Sequence, residues 1–177
     1  MSDMWLPPEQ DPREHGEAKH GEKAIVLDYL DRYRTTFELK CEGLDAEQLA
    51  RRSVPPSTMS LLGLVRHLAQ VEHSWYRRRI EGHGDLPQLF KKPDDHDWDF
   101  HGAVADDAVV AEAWEAWHTE VAHAREVEAG LDLDAVVEVH GEPCEVRDIV
   151  VHLVEEYARH VGHADLLREC IDGRTGQ

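Results

Sequence analysis

The stretch VHLVEEYARHVGHADLLREC, residues 151–170, decides how this chain is read. Within it His152, Glu156, His160 and His163 are spaced 4, 4 and 3 residues apart, which puts all four along one stripe of a helix. The helix runs from about Glu145 to Ile171 and is closed by Gly173. A polar stripe turned into a packed interior is costly unless its members bind something or each other. Glu156 and His160, one turn apart, can both reach a single metal ion.

Working outward, LVRHLAQVE carries His67 three residues after Leu64 and four before Val71, on or beside the inward face of a second long helix. That helix spans about Met59–Glu81, with Ser57 or Thr58 as its N-cap. Leu61, Leu64, Leu68, Val71 and Trp75 recur along it at spacings of three and four, and Gly82 and Gly84 stop it. An earlier helix covers about Ala24–Glu42, with Ile25, Leu27, Tyr29, Leu30, Tyr33, Phe37 and Cys41 on its apolar side. A short helical turn near Asp45–Arg51 follows, then the break at Pro55-Pro56. A further helix spans about Asp106–Ala129 through Ala111, Trp114, Ala116, Trp117, Val121 and Ala124. Val136–Val139, His140-Gly141 and Glu142–Val146 read as a small β-hairpin. Four helices of about 20 residues or more predict an all-α four-helix bundle. Residues 82–105 form a long crossover, so the second and third long helices run parallel.

Composition bounds the partners. The 177 residues suit one domain, read as residues 23–177 behind an extended arm, residues 1–22, which Trp5 and Leu6 pin to the body. With 19 Lys plus Arg against 37 Asp plus Glu, the net charge is −18, which argues against nucleic acid and anionic membrane surfaces. No basic-then-apolar leader opens the chain, and no apolar run approaches the roughly 18 residues of a membrane span. Cys41, Cys144 and Cys170 form neither a disulfide framework nor a zinc cluster, and buried or inert thiols are the expectation. A reduced, cytoplasmic setting follows.

His67 from one helix, with Glu156 and His160 from another, gives two imidazoles and a carboxylate, the way metal sites in bundle cores are built. The competing reading is plain: a histidine on a mixed face is often a hydrogen-bonded core residue, and Glu156–His160 a solvated ion pair worth little. Asp95, Asp97 and Asp99 copy the start of a calcium loop, but Phe100 and Asp106 stand where that loop needs Gly and Glu. Trp98 and Phe100 are better read as a plug over the helix ends or a lid on the site. Arg77-Arg78-Arg79 reads as a solvated helix C-terminus, with attraction of an anionic substrate as the alternative.

SLLGLVRHLAQVEHSWYRRRIEG (60–82) and HLVEEYARHVGHADLLRECIDGRTG (152–176) resemble the DinB-like superfamily, over roughly residues 23–175. The likeness is strongest to its actinobacterial branch of unknown function and extends to the mycothiol-dependent maleylpyruvate isomerases. Many relatives have His where this chain has Glu156 and Gln where it has His163; the isomerase branch shares Glu followed by His. The resemblance implies a metal triad of His67, Glu156 and His160, with His163 behind it or substituting, and His152 outside it. Three protein ligands leave open positions, the pattern of a catalytic ion. Zinc suits this donor set best, with nickel or iron as alternatives. The implied activity is a metal-dependent, thiol-dependent S-transferase or isomerase, or a related hydrolase, acting on a small molecule with a low-molecular-weight thiol. The alternative is a non-catalytic stress protein that binds metal and a small ligand. A homodimer is left open, and catalytic residues beyond the ligands are unassigned.

Overall fold

The computed structural model describes residues 4–176. The chain is mostly helical, with one two-stranded antiparallel hairpin among the described residues. Helix α1 spans Glu22–Cys41 and buries Leu30, Phe37 and Cys41; Gly43 then turns the chain at φ 74°. Helix α2, Ala46–Ala50, is held by a capping box in which Asp45 and Gln48 bond each other's backbone.

Helix α3 spans Leu61–His73 and continues as a wider π-helical stretch, Ser74–Ile80. Its cap is Ser60, whose Oγ accepts from Gly63 N at 3.1 Å, and not Ser57 or Thr58. Ser57 is spent one step earlier, accepting from Met59 N. The crossover is less irregular than expected, because it contains a four-residue helix, α4, at Trp98–His101. Helix α5 spans Asp107–Gly130, with Asp106 accepting from Ala108 N. Strands β1 (Val136–Val139) and β2 (Glu142–Glu145) pair with Val137 opposite Cys144. Between them His140 and Gly141 both take positive φ, as a tight two-residue hairpin turn requires. Helix α6, Val146–Asp172, ends on Gly173 in the left-handed conformation.

Side-chain pairs fix the helix directions. Arg66 meets Glu112 and Arg77 meets Glu120, so α3 and α5 run parallel. Arg147 meets Glu22 and Lys40 meets Asp165, so α1 and α6 also run parallel. His67 lies against His160 and Trp75 against His152, so α3 and α6 are antiparallel.

The core contains a polar network that the apolar periodicities do not reveal. Arg34, wholly buried, donates to both oxygens of Glu72 at 2.8 and 2.9 Å and to Glu128 at 2.9 Å. Tyr76 donates to Glu128, Tyr157 to Glu72, and Trp117 to the Tyr157 hydroxyl. Each buried charge therefore has a partner, without which the cost of burying it would be several kcal/mol, on the order of 3–5. The network ties α1, α3, α5 and α6 together and sets the register of Tyr157, the neighbour of Glu156. At the N-terminal end, Trp5 is buried among Lys40, Arg168 and Arg174, which pins the arm to the helices.

Candidate metal centre

His67, Glu156 and His160 come together: one ligating atom from each lies within 4.8 Å of the other two. Helix α3 presents His67 and α6 presents the other pair. Glu156 Oε2 is 3.2 Å from His160 Nε2 and 3.8 Å from His67 Nε2. The two imidazole rings meet edge-on at 4.7 Å between centroids. Donors on a tetrahedral ion at 2.0–2.1 Å lie about 3.3 Å apart, so small rotations of these side chains suffice to close a shell.

The outer nitrogens support the same geometry. His67 Nδ1 is 2.9 Å from Asp99 Oδ2, and Asp99 is wholly buried. The same Asp99 oxygen accepts from Lys91 Nζ at 2.8 Å, while its backbone carbonyl accepts from Arg66 Nε at 2.9 Å. His160 Nδ1 faces His163 Nδ1 at 3.3 Å. Both histidines thus turn Nε2 inward and have Nδ1 engaged from outside, the arrangement that fixes tautomer and orientation in metal-binding histidines. The donor set of two imidazoles and a carboxylate fits a borderline divalent ion such as zinc.

The local sequence explains the placement. The N-cap at Ser60 sets the start of α3 and hence the phase at which His67 emerges. Phe100 stacks on the His67 ring at 5.4 Å and fills the space that Gly63 leaves open, since a Cβ there would lie 2.7 Å from the Phe100 ring. Of the plug and lid readings, the position of Phe100 over the His67 ring fits the lid. Trp98 instead stacks under Lys92 and against Gly102. The alternating aspartates diverge: Asp95 pairs with His101, Asp97 is exposed, and Asp99 alone turns inward.

Electrostatics follow from these contacts. Burial opposes charge on His67, but the bonds to Asp99 and Glu156 outweigh it and raise its pKa above the ordinary value of 6.5. His160 and His67 hold the Glu156 carboxyl far below the usual range, against the opposing effect of burial. Burial, with the neighbouring His160, pushes His163 below 6.5. His152 lies at the outer edge, 3.5 Å from Glu156 Oε1 and 3.4 Å from Glu155 Oε2.

Lys91 has no signature in the sequence beyond its lying in a long connection, and nothing there sets Asp99 apart from Asp95 and Asp97. Arg77 is not simply solvated, since it pairs with Glu120 at 2.7 Å. Neither Cys41 nor Cys144 is activated: burial drives Cys41 far up, and burial with Asp148 raises Cys144. A cavity of about 660 Å³ lies away from the cluster, against Leu39, Cys41 and Trp114. Another, of about 310 Å³, is lined by Trp75 and His152, and His152 in turn reaches Glu156. No helix among the described residues is long and apolar enough to cross a membrane.

A family model described as Mycothiol-S-transferase matches residues 25–173. No curated protein matches the chain. Among solved structures, a conserved protein from Enterococcus faecalis superposes with a TM-score of 0.62 at 16% identity, covering 88% of this chain and 99% of that one. At that identity the likeness speaks for the fold.

Proposed function

The chain belongs to the mycothiol S-transferase family, within the DinB-like superfamily, and from that premise we propose that it is a metal-dependent enzyme transferring a low-molecular-weight thiol onto a small electrophile. The observation that carries this reading is the convergence of His67, Glu156 and His160 within 4.8 Å, with Asp99 on the far nitrogen of His67. In this reading residues 23–177 are one four-helix-bundle domain with a crossover between α3 and α5, working in the cytoplasm.

His67 Nε2, Glu156 Oε2 and His160 Nε2 would hold the ion, zinc by preference, leaving room for a thiol. The ion would supply Lewis acidity that lets a thiol ionise near pH 7. The chain's own residues do the rest. Asp99 keeps the His67 proton on Nδ1, so Nε2 offers its lone pair inward. Phe100 covers the His67 ring and excludes water from that side. The π-helical stretch carries Trp75 to the His152 edge of the cluster. His152 Nε2, half-open to solvent and close to Glu156, can accept the thiol proton and pass it outward. The sulfur–carbon bond forms as the leaving group departs with its electron pair.

The test is transfer of mycothiol onto an aromatic chloride by metal-stripped and zinc-reloaded protein. Transfer restored by zinc supports the enzyme reading. Stoichiometric zinc without transfer favours the non-catalytic, ligand-binding alternative.

A further inference from the structure

The cavity of about 310 Å³ beyond His152 contains none of the proposed metal ligands and opens one residue away from them. Its walls are Trp75 from the π-helical stretch, Val139 and Cys144 from the hairpin, and Ile149 from α6. Cavities of about 300 Å³ and more hold small ligands, and this lining is of the apolar kind that buries a single ring. His152 joins it to the ligands: its ring packs edge-on to Trp75 at 5.1 Å, and its Nε2 is 3.5 Å from Glu156 Oε1.

The charge of this cavity is one-sided. Asp148 and Glu155 line it, Glu156 stands beyond His152, and no lysine or arginine is among its lining residues. Asp148 also occupies the first turn of α6, where the helix dipole would otherwise draw an anion. We infer that this hairpin-side cavity seats the apolar ring of the electrophile, and that it selects uncharged or cationic rings over carboxylate-bearing ones. The inference rests on the S-transferase reading for the word electrophile, but the ring-binding site itself does not depend on turnover. The ring enters between Trp75 and the hairpin, and its reactive carbon points along His152 toward the ligands. Trp75 offers a cation the negative face of its ring, and the two carboxylates add attraction for it. A benzoate-like substrate meets like charge from both.

Binding is measured on the full chain, metal-free and zinc-loaded, by ¹H–¹⁵N NMR titration with benzylamine, benzyl alcohol and benzoate. Benzylamine and benzyl alcohol should shift the Trp75 indole and the Val139 and Cys144 amides in both forms, with benzoate at least tenfold weaker. Cys144→Trp, which fills the cavity, should weaken benzylamine at least tenfold with zinc affinity unchanged. The Asp148→Asn, Glu155→Gln double variant keeps the walls and should bring benzoate within about threefold of benzylamine. Equal binding of benzoate and benzylamine by the wild type, shifts confined to another face, or an unchanged discrimination in the double variant would overturn the inference. Ring binding without thiol transfer would overturn only the enzyme reading, and transfer without ring binding at these residues only this inference.

Discussion

Asp99→Ala is the most informative single change outside the proposed ligands. The wild-type carboxylate oxygen accepts two charge-assisted bonds, from His67 Nδ1 at 2.9 Å and Lys91 Nζ at 2.8 Å. Alanine removes both. Lys91 is partly exposed and can turn to water, so little of the loss should fall on folding. His67 instead loses the partner that fixes its orientation and raises its basicity. Removing such a partner weakens metal binding about 10–100-fold, or about 1.4–2.7 kcal/mol. The upper half of that range is expected here, because Asp99 is wholly buried. Asp99→Asn should fall in the lower half: its amide oxygen can still accept from His67, but the negative charge is gone. The assay is zinc affinity by competition with a chromogenic chelator, beside helical circular dichroism and metal-free melting. Affinity within twofold of wild type for the alanine variant would refute the claim that Asp99 holds His67 for a metal. A large fall in metal-free melting temperature would show that the α4 turn needs Asp99 for folding.

Further outcomes follow from the same contacts. His67→Ala should lower zinc affinity by at least two orders of magnitude while keeping the helical signal, because Leu61, Leu64 and Leu68 still pack as before; retained metal would remove His67 from the triad. In the metal-free protein the raised His67 pKa contributes stability that is full below pH 6.5 and is lost as pH rises through its folded value, so zinc binding at pH 6.5 should release protons, read by calorimetry in buffers of different ionisation enthalpy; release of none would contradict the shift. Glu156, with its depressed pKa, has the opposite sign: its contribution is present above pH 4.5 and is lost only in strong acid. Arg34→Met leaves Glu72 and Glu128 buried without their cation and should cost about 3–5 kcal/mol, a fall in melting temperature of roughly 6–20 °C; a loss below 1 kcal/mol would show that the network is dispensable.

The positions of His67, Glu156 and His160 were legible because helical spacing alone brings i and i+4 side chains to one face, and the likeness to the DinB-like superfamily joined the two helices. The parallel run of α3 and α5 followed from the length of the connection between them. Asp99 was not legible, since Asp95, Asp97 and Asp99 alternate identically in sequence and only the α4 turn selects which one points inward. Ser60 cannot be told from Ser57 and Thr58 in the sequence, because three hydroxyl residues precede the helix and each can cap. The π-helical stretch has no compositional mark in SWYRRRI. Arg34, Glu72 and Glu128 carry no mark that distinguishes them in sequence from surface charges, because their partners sit on three different helices. Asp99 and the Arg34 network share a cause: each depends on a contact between residues far apart in sequence.

One comparison tests metal-dependent thiol transfer most directly. Wild-type protein is stripped with a chelator, reloaded with one equivalent of zinc, and assayed for transfer of mycothiol onto a neutral aromatic chloride, with His67→Ala taken through the same steps. The expected result is one tightly held zinc per wild-type chain, transfer that is absent after stripping and returns on reloading, and neither in the variant. Zinc-independent transfer, or a variant that matches the wild type in bound zinc and rate, would contradict it.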